Sequence, residues 1–470
     1  MSKNNLIKLG FWYTLGTLLV QGINFLTLPI YTRVITPEVF GQYSLYLSWV
    51  NLFSLIIGLQ ISGSLPIAKL KYKNEYDKYS AHGISLSLVF FLIVLLVSYL
   101  FGEIGAKLVN FPKQIFFLML IQSFSISVMT YFGNYFIQKQ KAMTNLLLSL
   151  FSVSFSVVLS LTLIWFWQND FFARVIGQLL PNFAVAIVAI IYLLFKGKSF
   201  IKKEYLIFSF SISLPLIFHQ LGHQLLSQLD RIMIGRLLGN KDVALYSFGY
   251  NLGLIIQVIL LSLNTTWTPW FFEERRKNSI FLKNAINLYL QVGLFLTLCY
   301  LTIYPEVAII MGGEEYSSSV SFIPLIIVSY FLTFLYTFPV NIQFYHENTT
   351  FIPVGTIISA LFNAVLNLLL IPRFGIHGAA IATVLSYFVL LILHHFISYR
   401  RYKYEDVLFS KYIYLVGIVS VYAIFTSLLS NNILLRYLIG SVVVTAFYVK
   451  YRNNIKEIVL SLKKGHKNCS

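Results

Sequence analysis

Ala81-His-Gly-Ile-Ser-Leu-Ser-Leu-Val-Phe-Phe-Leu-Ile-Val-Leu-Leu-Val-Ser-Tyr-Leu-Phe101 contains no Asp, Glu, Lys or Arg, and Lys69, Lys71, Lys73 and Lys78 stand just before it. A hydrocarbon slab about 30 Å thick is crossed by about 20 apolar residues in a helix, so this stretch is long enough to span a bilayer. The lysines resist translocation and mark its N-terminal end as cytoplasmic. The same pattern recurs on both sides of it. We place spans at 9–31, 43–66, 81–101, 114–137, 143–167, 173–195, 206–229, 243–265, 284–304, 320–344, 353–371, 378–397, 412–429 and 433–449. The short loops between them alternate between Lys/Arg-rich and Lys/Arg-poor.

With the N-terminus inside, 26 of the 35 Lys and Arg fall on the cytoplasmic side and 9 outside, while the 17 acids divide 9 to 8. The formal charge of +18 is therefore a topological signal and a means of contact with anionic lipid headgroups, not a nucleic-acid footprint. Composition agrees: 57% of residues are hydrophobic and 11% charged, against about 25% charged in soluble domains. Cys299 and Cys469 are the only cysteines, so there is no disulfide framework or metal cluster to read. The first span lacks a small-residue cleavage site and runs into Pro29 and Arg33, so it reads as a retained span. The expected fold is an all-α polytopic membrane protein with about fourteen transmembrane helices and both termini cytoplasmic. Asn264-Thr-Thr-Trp-Thr-Pro-Trp270 reads as the end of the eighth span, with an interfacial helix through Glu273-Glu-Arg-Arg-Lys277 after it.

An internal repeat is visible. A shift of 203 residues lays Arg33-Val-Ile-Thr-Pro-Glu-Val-Phe-Gly-Gln-Tyr-Ser44 on Arg236-Leu-Leu-Gly-Asn-Lys-Asp-Val-Ala-Leu-Tyr-Ser247 without a gap. Arg, Tyr and Ser coincide, a small residue (Gly41, Ala244) precedes each Tyr by two, and Gln21 falls on Gln224. The first and second spans thus correspond to the seventh and eighth. The reading is two six-helix bundles, 1–200 and 201–400, followed by two extra spans and a basic cytoplasmic tail over 401–470. Six spans per half gives a parallel repeat about an axis along the membrane normal, with a substrate site expected between the halves near the midplane.

Arg236-Leu-Leu-Gly239 with Val243-Ala-Leu-Tyr-Ser247, Asp230-Arg231 upstream, Ile371-Pro-Arg-Phe-Gly-Ile-His-Gly-Ala-Ala-Ile-Ala-Thr383 and Gly312-Gly-Glu-Glu-Tyr316 resemble the polysaccharide transporters. These are the Wzx-like repeat-unit flippases of the multidrug/oligosaccharidyl-lipid/polysaccharide superfamily. The resemblance covers the first twelve spans. It implies alternating-access transfer of an oligosaccharide linked to undecaprenyl pyrophosphate, for O-antigen, capsule or a related surface polysaccharide, across the bacterial inner membrane. It also implies no enzymatic activity and no cofactor, with a polysaccharide polymerase and a chain-length regulator as partners. A drug/cation antiporter and a peptidoglycan-precursor flippase share the architecture. The first should prefer an acidic cavity, which helix middles almost free of acids do not supply. A polysaccharide polymerase is the enzymatic alternative, and it would need a large outer loop that is missing here.

Within the spans, ionisable groups mark a pathway by default. Arg33, Arg174, Arg231, Arg236 and Arg373 sit at outer helix ends. Each offers a planar fork for a pyrophosphate, or snorkels to headgroups and caps a helix C-terminus. Asp230 with Arg231 and Asp170 with Arg174 are candidate ion pairs. The seventh span has the densest polar set: His219, His223, Ser227 and Asp230 share one helical face, flanked by Gln220, Gln224, Gln228 and Arg231. That face lines water, with His219, His223 and Asp230 as ion-coupling candidates, or it glues helices by hydrogen bonds. Gln21, Asn24, Gln224, Asn363 and Asn367 are candidates for sugar hydroxyls, with packing as the alternative. Pro29 and Pro215 are candidate bends. There is no GxxxxGK[ST] phosphate loop and no GxSxG elbow in the chain.

Overall fold

A computed structural model describes residues 3–198, 201–277 and 281–467, with side chains over 19–452 within those limits. Every regular element among the described residues is helical. The long helices are α1 (Lys3–Val34), α2 (Pro37–Ile57), α4 (Tyr76–Val109), α5 (Lys113–Gln138), α6 (Ala142–Phe166) and α7 (Asp170–Gly197), with the short α3 (Leu65–Lys71) after α2. They are followed by α8 (Lys203–Leu237), α9 (Asn240–Arg276), α10 (Leu282–Gly312), α11 (Ile323–Tyr345), α12 (Phe351–Tyr402), α13 (Phe409–Leu428) and α14 (Ile433–Lys467). Cys469 and the end of the basic tail lie outside the described residues.

Local chemistry sets the ends. Thr36 caps α2 by accepting from the Val39 amide, and Pro37 supplies a preset φ at the first helical position. Asn169 caps α7 in the same way, at 3.0 Å from the Phe172 amide. Among the described residues eleven helices are long and apolar enough to cross a membrane, and Pro37–Ile57 with Ile61–Lys71, bent by 52°, forms a twelfth as a broken span. Adding α1 and dividing α12 at its break recovers the fourteen expected spans. That break is written in Pro372-Arg-Phe-Gly375-Ile-His-Gly378. Pro372 removes a helix hydrogen bond, and Gly375 takes φ +58°, ψ −141°, outside the range open to an L side chain. A Cβ on Gly378 would run into the Leu370 carbonyl, so only glycine lets the returning helix lie this close.

One expectation is corrected. Asn264–Trp270 does not end the helix: α9 runs unbroken through Pro269 to Arg276. Thr265, Thr266 and Thr268 donate their hydroxyls to the carbonyls of Leu261, Ser262 and Asn264. Threonine thereby satisfies itself inside the helix that its composition seemed to interrupt.

Polarity is arranged for lipid. α4 exposes Leu92, Ile93, Leu96 and Leu100, and α6 exposes Leu147, Phe151 and Trp165, whereas Ser80, His82, Gln122, Ser123, Asn363 and Asn367 are buried. With hydrocarbon as solvent, backbone and side-chain polar groups must find partners inside the protein.

The chain divides into two compact units, one of 1–247 with 356–379, the other of 248–355 with 380–470. These follow packing, whereas the expected bundles 1–200 and 201–400 and the tail 401–470 follow the sequence repeat. In the first unit α6 packs on α7, α2 on α5 and on α8, and α4 on both α5 and α7. In the second, α10 lies against α11, α13 and α14, and α11 is almost wholly buried.

Candidate functional site

The polar groups of the first unit gather along α8 and its neighbours. Asp230 is fully buried. The Tyr246 hydroxyl donates to its Oδ2 at 2.6 Å, and the Asn367 amide donates to its Oδ1 at 2.6 Å. Asn367 also donates to Asn363 Oδ1 at 3.0 Å. Three of the expected residues, Asp230, Asn363 and Asn367, therefore form one cluster, closed by a tyrosine that sequence reasoning had noted only as part of the repeat. Asn363 and Asn367 sit four apart on one helix face, which is the signal that paired them; Tyr246 reaches Asp230 from the next helix.

Arg231, the neighbour of Asp230, is also buried. Its Nη1 donates to Gln228 Oε1 at 2.7 Å and to the Ser227 carbonyl at 3.3 Å, and Ser48 Oγ donates to the same Gln228 oxygen at 3.0 Å. This links α8 to α2 through an amide that accepts from both sides. Arg174 lies over the ring of Tyr31, 3.5 Å from its centroid, and 4.6 Å from that of Tyr43, with Nη1 donating to Ser160 at 3.2 Å. Its cation is held by aromatic faces, and the expected pair with Asp170 is absent among the described residues.

The remaining arginines sit at helix ends. Arg33 is exposed and caps the end of α1 by donating to the Pro29 carbonyl at 2.8 Å. Arg236, exposed in the last turn of α8, donates to the Leu108 carbonyl of α4. Arg373 is exposed at the break in α12. Gln21 and Asn24 are exposed on α1, Gln224 and His219 are half-buried, and His223 is exposed. His219 and Asp230 are separated by eleven residues of helix, about 16 Å, so the three ion-coupling candidates do not make a single site.

The two copies of the repeated hairpin touch. A Cβ on Gly41 would overlap the carbonyl of Asn240 and crowd the amide of Ala244. The small residue shared by the two copies is thus the point where α2 meets the start of α9.

Missed by the sequence reading were two buried groups of the second unit. Arg436 is wholly buried, bonded to Glu306 and to the carbonyls of Leu429 and Ser430. Gln343 Nε2 lies 3.0 Å from His394 Nδ1 and 3.2 Å from Ser398 Oγ. In the sequence the first is a lone cation just after Asn431-Asn432, and the second joins helices far apart in the chain. Neither has a local signature.

The described chain is 26% identical over 374 residues to an uncharacterized membrane protein of Haemophilus influenzae, covering 76% of this chain and 88% of the relative. It is 24% identical to the Lsg locus putative protein 1 of the same organism, over 74% and 87%. Its fold is that of the lipid II flippase MurJ in an inward closed conformation, with a TM-score of 0.71 at 14% identity over 94% of this chain and 99% of that one. An inward-facing multidrug resistance MATE transporter follows at 0.66 and 15%, over 81% and 94%. Residues 6–275 match the model of the polysaccharide biosynthesis protein family, and with more than half the chain matched, this membrane protein belongs to that family.

Proposed function

We propose that the protein is a flippase that moves oligosaccharide repeat units, linked to undecaprenyl pyrophosphate, across the bacterial inner membrane. The cargo belongs to O-antigen, capsule or a related surface polysaccharide. The observation that carries the reading is the coincidence of a polysaccharide biosynthesis family match over 6–275 with the fold of a lipid II flippase. Both termini are cytoplasmic in this reading, anionic lipids contact the basic loops, and a polymerase and chain-length regulator take the product outside. The protein makes and breaks no covalent bond. The half-buried Arg174, with exposed Arg33, Arg236 and Arg373, supplies fixed positive charge for the pyrophosphate. Gln21, Asn24 and Gln224 supply hydrogen bonds to sugars. The cycle is alternating access.

The test is deletion of the gene in its host. Lipid-linked repeat units should accumulate on the cytoplasmic face and surface glycan should vanish, with both restored by the plasmid-borne gene. Unchanged surface glycan in the deletion strain sinks the proposal.

A further inference from the structure

The second span is broken where no proline explains it. α2 stops at Ile57, Leu59 and Gln60 both take left-handed backbone (φ +50° and +46°), and a 3-10 turn, Ile61–Ser64, leads into α3. Two successive residues with side chains in that conformation are costly, and such strain persists only where the surroundings impose it. Here the packing does: a Cβ on Gly58 would sit 2.6 Å from Ser127 Cβ, so α2 is pressed against α5 at the break. Non-helical backbone at membrane depth is tolerated where it lines a hydrated cavity. A cavity is present. It is lined by Ser54, Gln60, Ser62, Ser87, Ser127 and Thr130, among others, and has room for about three water molecules.

The lining is uncharged; Leu55, Ile84 and Val128 make an apolar side, and the polar side has a definite hydrogen-bonding character. Ser54, Ser127 and Thr130 spend their protons on the carbonyls of Asn51, Phe124 and Ile126, so their oxygens face the cavity as acceptors. The Gln60 amide and Ser62 hydroxyl make no hydrogen bond among the described residues, which leaves donors beside those acceptors. Acceptors alone would suit a cation. Mixed with an unengaged amide N–H, they suit vicinal hydroxyls, each of which both donates and accepts. Depth agrees: Gly58 lies about 32 Å along α2 from its start, so the cavity is in the leaflet toward the lysines of 69–78.

We propose that this cavity at the break in the second span is a sugar subsite, which holds one hydroxyl-bearing edge of the cargo's glycan as it enters from the cytoplasmic leaflet. The inference rests on the flippase reading and adds to it a position that reads sugar, not pyrophosphate.

The test uses the full-length protein in nanodiscs, in a Cys299→Ser, Cys469→Ser background, with Gln60→Cys or Ser127→Cys and a water-soluble maleimide. The probes are lipid-linked saccharides extracted from host membranes, and the same extract after mild-acid release of its sugars. Binding of each extract to the unsubstituted protein is measured in parallel. Protection by the intact extract and not by the sugar-free one is expected. In binding, Gln60→Leu should weaken the intact extract about three- to tenfold and leave the sugar-free one unchanged. Equal protection by both extracts, or protection by sodium chloride over choline chloride, overturns the subsite. Binding of the intact extract without protection overturns it while the flippase reading stands. Failure of the protein to bind the intact extract overturns both.

Discussion

The hairpin of α1 and α2 and the hairpin of α8 and α9 carry the same short signature to different ends. In both, an arginine stands in the last turn of the first helix and a small residue is the fifth of the second. At Gly41 and Ala244 the two copies are in contact. The tyrosines that follow have parted company. Tyr43 presents its ring to the Arg174 guanidinium, and its buried hydroxyl has no hydrogen-bond partner among the described residues. Tyr246 uses its hydroxyl on Asp230. The shift of 203 residues puts Thr27, a half-buried residue bonded to its own helix, where the second copy has Asp230. The repeat has thus retained the backbone that needs close approach, while the buried carboxylate belongs to the second copy alone.

The largest effect should come from the pair where the copies differ most. Asp230→Ala removes the carboxylate that accepts from both the Tyr246 hydroxyl and the Asn367 amide, at about 1–3 kcal/mol, whereas Thr27→Ala should change stability by under about 0.5 kcal/mol. Thermal unfolding in detergent measures both, and equal losses would erase the distinction drawn here. Next comes the contact that the copies share. Gly41→Val drives two methyls into the Asn240 carbonyl and should cost about 1–3 kcal/mol or more through overpacking; Ala244→Gly should cost about 1 kcal/mol or less. A well-folded Gly41→Val would mean that the copies can separate freely at this point.

The tyrosines give a finer comparison. Tyr246→Phe loses a hydrogen bond to a carboxyl, worth about 1.5–3 kcal/mol if the carboxyl is charged, while Tyr43→Phe keeps the ring over Arg174 and should be near neutral. Reversed results would assign the polar role to the first copy. Smallest in stability, though not in transport, are the paired arginines. Arg33→Ala and Arg236→Ala should each insert at normal levels yet lower surface glycan, and Arg→Lys should be partly active because charge survives without the fork. Full export by the double alanine variant would remove both from the substrate path.

Sequence alone was enough for the features that depend on local composition. Hydrocarbon thickness sets span length, so the spans could be read from apolar runs. The break near Gly375 was readable because Pro372 and Gly375 have backbone consequences wherever they stand. Asn264–Trp270 misled for the opposite reason: threonine and proline weaken an isolated helix, but hydroxyls that bond back to the preceding turn let α9 continue. The break at Leu59 and Gln60 has no proline to mark it; what stands there is Gly58, which lets α2 come this close to Ser127 on α5. In the candidate site, Asn363 and Asn367 were found by their spacing. The choice of Tyr246 as the partner of Asp230 depends on how α8 turns into α9.

The buried contact between Arg436 and Glu306 also says something about how the chain is made. A guanidinium at the head of α14 cannot rest in hydrocarbon unpaired, nor can the carboxylate of α10 be shut away from water without it. α10 leaves the ribosome well over a hundred residues before Arg436. Until α14 arrives, Glu306 must therefore keep access to water, and the second unit cannot close around it. The last hairpin then acts as a checkpoint on assembly: chains stopped after Leu428 should insert their earlier spans but be recognised and degraded, and Glu306→Gln should spare them in part.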